Sequence, residues 1–267
     1  MVTQAVLAGD RRHRVGVPAV LLTVAAAGWW WSFRMVDEMA GTGTAADAMG
    51  GMGGMGGFQA VSGHTMSLVA FVIAWLAMMA AMMLPAVLPV VRLYSLAADE
   101  GRVAPLPFFV AGYLVVWTLV GLPAYFGWRA LMDPISDGRP WAARLAGGVL
   151  LLAAVWQLTP LKSMCLRHCR SPMSVFLRVR GSLARPSAAL RAGSTHGLYC
   201  VGCCWALMAI LVALGTMNLA WMLGLAVLIL LEKNAPWGEG VATGAALVFV
   251  VVAIALLVHP ASLSILT

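Results

Sequence analysis

Charge is scarce in this chain of 267 residues: 10% are Asp, Glu, Lys or Arg, while 62% are hydrophobic. A globular domain carries about a quarter charged residues, so an ordinary water-facing surface is excluded. Acidic side chains are the scarcer sign, ten against 17 basic. Asp37, Glu38, Asp133 and Asp137 fall between the apolar runs, which leaves no paired carboxylates for acid/base chemistry. No catalytic triad, Gly-rich phosphate loop or internal repeat is present. The Cys-x-x-Cys-His order of c-type haem attachment is also missing. The longest internal connection, residues 170–195, is too short for the soluble domains of an ATP-driven pump. The expectation is therefore a protein that is not an enzyme.

Apolar runs cover about residues 15–33, 66–91, 106–128, 145–164, 196–216, 218–231 and 241–259. A span needs roughly 20 apolar residues, so an all-α, polytopic transmembrane helix bundle of about seven spans is expected, a single integral membrane domain over residues 1–267. The fifth and sixth runs are separated by little more than Met217-Asn218, which predicts a tight hairpin. With the N-terminus inside, 13 of the 17 Lys and Arg are cytoplasmic, and Arg34, Arg129, Arg139 and Arg144 are outside. That asymmetry predicts a cytoplasmic N-terminus and an external C-terminus in a plasma (inner) membrane. The net charge of +7 is thus a topology signal, with the lipid bilayer as partner and no nucleic acid. Trp29-Trp30-Trp31 reads as an interfacial anchor of a retained first helix, although Ala25-Ala26-Ala27 is compatible with signal-peptide cleavage.

Two connections stand apart. The external loop 34–65 contains Met49, Met52 and Met55 spaced by glycine pairs, preceded by Met35, Asp37, Glu38 and Met39 and followed by His64. The basic cytoplasmic loop 170–195 carries five arginines among Val175, Phe176, Leu177 and Leu183. That composition suits an ordinary positive-inside loop or a segment held on anionic lipid.

Cysteine is sparse and confined: all five lie between Cys165 and Cys204, an odd number that fits a disulfide framework poorly. Cys165, His168 and Cys169 follow the fourth run at spacings that share a helix face. Cys200, Cys203 and Cys204 open the fifth, with Met208 one turn deeper. Neighbouring antiparallel helices would bring both groups together near the cytoplasmic boundary. Thiolate and thioether donors select Cu(I), and tetrahedral Cys/His sets suit Zn. A membrane cysteine by itself is ordinarily a small buried hydrophobe; the two matched clusters point to metal. Within the second run, Met78, Met79, Met82 and Met83 form two i, i+4 ladders ahead of Pro85. Such a stripe serves packing, or a soft monovalent cation that neutral thioethers can hold without buried carboxylates. Lys162, one turn before Cys165, and Glu232-Lys233, at the end of the sixth run, are candidate charges beside the thiols, or simply interfacial residues.

Taken together, Met78-Met79-Ala-Ala-Met82-Met83-Leu-Pro85, Pro160-Leu-Lys162 leading into Cys165-Leu-Arg-His168-Cys169-Arg170-Ser-Pro172, Gly202-Cys203-Cys204-Trp205-Ala-Leu-Met208 and Glu232-Lys233 resemble a family of bacterial integral membrane proteins of unknown function described as predicted metal-binding. The resemblance covers most of the chain from the second run onward and implies a membrane location and a metal role. The leading expectation is a membrane protein that binds, imports or delivers Cu(I), with a copper acceptor or membrane cuproprotein as partner. A membrane thiol-redox protein and an assembly subunit with a Zn staple are the alternatives.

Overall fold

The computed structural model describes residues 16–41, 67–99, 103–137, 139–171, 185–214 and 218–260. These form eight helices, with no strand among the described residues: α1 (Val17–Gly41), α2 (Leu68–Asp99), α3 (Leu106–Ser136), α4 (Pro140–Gln157), α5 (Pro160–Arg170), α6 (Pro186–Ala213), α7 (Leu219–Asn234) and α8 (Gly238–Val258). Helices α2, α3, α6 and α8 are each long and apolar enough to cross a membrane, and α4 with α5 makes a fifth if the bent pair is one span. Each of the seven apolar runs contains helix among the described residues, but α7, at 16 residues, is shorter than a straight span requires.

The fourth run is not one helix. Thr159 precedes Pro160, and the residue before a proline is driven out of the helical region; Thr159 accordingly sits extended at φ −75°, ψ 145°. Its hydroxyl donates to Trp156 O at 2.8 Å and accepts from Lys162 N at 3.3 Å, closing one helix and capping the next. Helix α5 therefore leaves α4 at 68°. Cys165, His168 and Cys169 ride on this separate short helix rather than on an extension of the span.

The basic segment 170–195 is corrected as well. Residues 172–184 lie outside the described residues, but Pro186 opens α6, and the chain is helical from there through the cysteines. Proline is favoured at the first helical position, where its missing N–H costs nothing. The earlier start places Cys200 midway along the 28-residue α6, not at its mouth.

Helix α6 makes its most extensive contact with α3. There Gly112 and Gly193 let the backbones touch: a Cβ on Gly193 would collide with Phe109 O, and one on Gly112 with Leu190 O. Ser194 Oγ donates to Gly112 O across the same crossing at 3.1 Å. Small residues of this kind allow close van der Waals packing where no water drives association. The expected hairpin of the fifth and sixth runs is a minor contact, since α7 packs chiefly on α2 and α8. Asn218 fixes the start of α7 by accepting from Ala220 N and Trp221 N.

Outward faces remain apolar. On α8, Leu247, Val248, Val251, Ile254 and Val258 are exposed, as are Leu119 and Phe126 on α3 and Leu152 and Val155 on α4. Contiguous apolar surface on several helices is what lipid, not water, accommodates. The Gly/Met segment at 49–57 and His64 lie outside the described residues, as do the side chains of Met35, Asp37, Glu38 and Met39.

Candidate metal centre

Four helices converge on one buried group of sulfur atoms. Helix α6 supplies Cys200, Cys203 and Cys204, each at most 1% exposed. Helix α5, turned by the break at Pro160, brings buried Cys169 within hydrogen-bonding reach of Cys200 and Cys203. Helix α7 ends with Lys233, whose ammonium donates to Cys200 Sγ at 3.0 Å and lies 3.9 Å from Met83 Sδ of α2. All five cysteines are free thiols.

The hydrogen bonds divide the thiols into two kinds. Cys203 and Cys204 donate their S–H to Cys200 O, at 3.1 and 2.7 Å. A carbonyl can only accept, so both sulfurs are the donors in these contacts. Cys200 Sγ instead accepts from Lys233 and meets Tyr113 Oη at 3.2 Å. The glycine crossing of α3 and α6 sets this last contact, because Gly112 precedes Tyr113 and Gly197 packs on Val116 one turn along.

A second polar group braces the first. Lys162 of α5 and Glu232 of α7 form an ion pair at 2.7 Å with both side chains almost wholly enclosed. Gln157 at the end of α4 donates to the other carboxylate oxygen at 2.8 Å. Arg170 donates to Ala235 O just beyond α7. Lys162 is therefore the partner of a carboxylate, and the cation beside the thiols is Lys233. The sequence had offered both lysines for that place; the structure gives Lys162 to Glu232 and Lys233 to Cys200.

The expected ligands separate accordingly. Cys169, Cys200, Cys203 and Cys204 lie within reach of one another, and Met83 borders them through Lys233, whose ammonium is 3.9 Å from its sulfur. Cys165 is half-buried on the flank of α5, against Gly202, where a Cβ would stand 2.8 Å from its sulfur. His168 does not join them: its ring stacks on Tyr199 at 4.7 Å, and its Nδ1 lies 2.7 Å from Met164 O. The reason is helical phase, since the buried face of α5 carries Lys162, Leu166 and Cys169 and His168 is turned away from it. Met78, Met79, Met82 and Met208 are buried in the surrounding core.

Sequence reasoning missed Tyr113, Gln157 and His196. His196 is buried one turn before Cys200, near the rings of Phe109 and Tyr113, and among the described residues its Nε2 has no hydrogen-bond partner. Its i, i+4 relation to Cys200 was the available signal. Tyr113 and Gln157 carried none, because each acts through a partner more than 70 residues away.

Among the described residues no three His, Cys, Asp or Glu side chains form a set able to enclose a metal ion. The zinc expectation, which needs such a set, gains no support. Two thiols with a thioether form a sparser, softer donor set, the kind that suits Cu(I). A family model described as PpoB2, copper chaperone, matches residues 72–256. No curated protein and no solved structure matches.

Proposed function

The chain belongs to the PpoB2 copper chaperone family, and on that premise we propose that it is a membrane-embedded copper carrier. In this reading it holds Cu(I) on Cys169 and Cys200, with Met83 as a third donor, and passes the ion to a copper acceptor or membrane cuproprotein. It is a carrier and not a catalyst. The observation that carries the reading is the meeting of α2, α5, α6 and α7 at Met83, Cys169, Cys200 and Lys233.

The chemistry supports it. Thiolate and thioether sulfur prefer Cu(I) over harder ions. A thioether needs no deprotonation to bind, which suits a site away from water. The apolar outer faces of α3, α4 and α8 favour a bilayer as the surrounding medium, with α1 and α7 completing seven crossings. The excess of Lys and Arg on one side then sets the N-terminus in the cytoplasm of a cell bounded by this inner membrane.

The test is copper stoichiometry of the purified full-length protein in detergent, loaded with Cu(I) under reducing conditions. Wild type retains copper, and Cys169→Ser combined with Cys200→Ser loses it while still inserting in the membrane. Unchanged copper content in that double variant defeats the assignment.

A further inference from the structure

Lys233 is buried, yet among the described residues its ammonium meets no carboxylate. Glu232, its neighbour in sequence, is taken by Lys162 and Gln157. The partners of Lys233 are instead sulfur atoms: Cys200 Sγ at 3.0 Å and Met83 Sδ at 3.9 Å. Cys169, Cys203 and Cys204 also stand close enough to act on it electrostatically. A fixed positive charge at the heart of a candidate cation site calls for an explanation, since by itself it repels the cargo.

The explanation lies in the charge of the whole group. Burial penalises any net charge, so an enclosed site is stable when its charges cancel. Metal ligation removes the proton from a thiol. On the reading above, Cys169 and Cys200 are the thiolate donors, while Cys203 and Cys204 face the carbonyl of Cys200. Met83 is neutral. Two thiolates and one ammonium leave a single negative charge, which a monovalent cation cancels and a divalent cation overshoots.

We propose that Lys233 sets the charge of the cargo: it makes this sulfur site accept a soft monovalent ion and reject soft divalent ions. The proposal rests on the reading of Cys169 and Cys200 as ligands, and it adds what that reading lacks, a means of selection. Softness alone does not separate Cu(I) from divalent ions that also favour sulfur, whereas one buried ammonium does.

Ag(I) and Cd(II) are the probes, because both are thiophilic and they differ in charge. Each is titrated into the purified full-length protein under reducing conditions, in competition with a chelator of known affinity. Wild type prefers Ag(I). Lys233→Met narrows that preference by about tenfold or more, through a gain in Cd(II) affinity, as expected for removing a like charge at contact distance. Lys233→Arg keeps the preference. Cys203→Asp alters the same sum from the other side, adding a negative charge with Lys233 in place, and it shifts the preference toward Cd(II) even if the lysine variants do not fold. A preference that survives both Lys233→Met and Cys203→Asp while wild type binds Ag(I) overturns the role of Lys233 and leaves the site intact. Wild type that binds neither ion overturns the site itself.

Discussion

Lys162 and Glu232 stand 70 residues apart in the chain and meet at 2.7 Å in the interior. Their pairing ties the short helix α5 to the end of α7, and with it the thiol of Cys169 to the ammonium of Lys233. Removing one member of a buried pair strands a charge, at a cost of about 3–5 kcal/mol. Lys162→Met and Glu232→Gln should each lower the thermal midpoint of the detergent-solubilised protein sharply. The double variant should recover much of the loss, as read by a thermal unfolding curve of all four forms. A loss in the double variant equal to the sum of the two single losses would show that the pair is not coupled.

The break before Pro160 aims Cys169 at Cys200. With Cys165, Cys203 and Cys204 changed to Ser, mild oxidation by diamide should cross-link Cys169 to Cys200 within one chain. Adding Pro160→Ala lets α4 run on without the turn, and the yield of that cross-link should fall several-fold. Mass spectrometry of the digested protein reads both outcomes; no cross-link in the parent would separate the two sulfurs.

At the α3–α6 crossing a methyl group has nowhere to go. Gly193→Ala should force the helices apart, with a loss of about 1–3 kcal/mol typical of overpacking. Tyr113 moves with the crossing, so Cu(I) retention should fall as well. Gly148→Ala is the control, because a Cβ there meets nothing within 4 Å and should leave both stability and copper content unchanged.

His168 and the paired thiols of Cys203 and Cys204 give a graded set. His168→Ala should leave the copper content of the purified protein intact, since its ring stacks on Tyr199 outside the sulfur group. Cys203→Ser with Cys204→Ser should weaken retention less than Cys169→Ser with Cys200→Ser, because a serine hydroxyl can make the same bond to Cys200 O. The reverse order in a chelator competition would move the ligand set onto Cys203 and Cys204.

Much of the architecture was readable before any coordinates, because apolar runs of span length admit little besides helices. The two cysteine groups were readable for a related reason, as i, i+3 and i, i+4 spacings fix which residues share a face. The break at Thr159–Pro160 was legible in principle, yet the apolar character of residues 145–164 outweighed one proline. Hydropathy likewise hid the true start of α6, since residues 186–195 are polar enough to resemble a loop and become helical behind Pro186.

By itself, the sequence determined that this chain is helical, apolar on its outside and furnished with soft donors, because those properties depend on composition and short spacing. Only the tertiary structure decided which donors meet. It set Met83 beside Lys233, gave Lys162 to Glu232, turned His168 away and brought Tyr113 onto Cys200. The contacts among these depend on helix crossings and, for Lys162, on a 68° bend, and contacts between residues far apart in the chain leave no local pattern from which to read them.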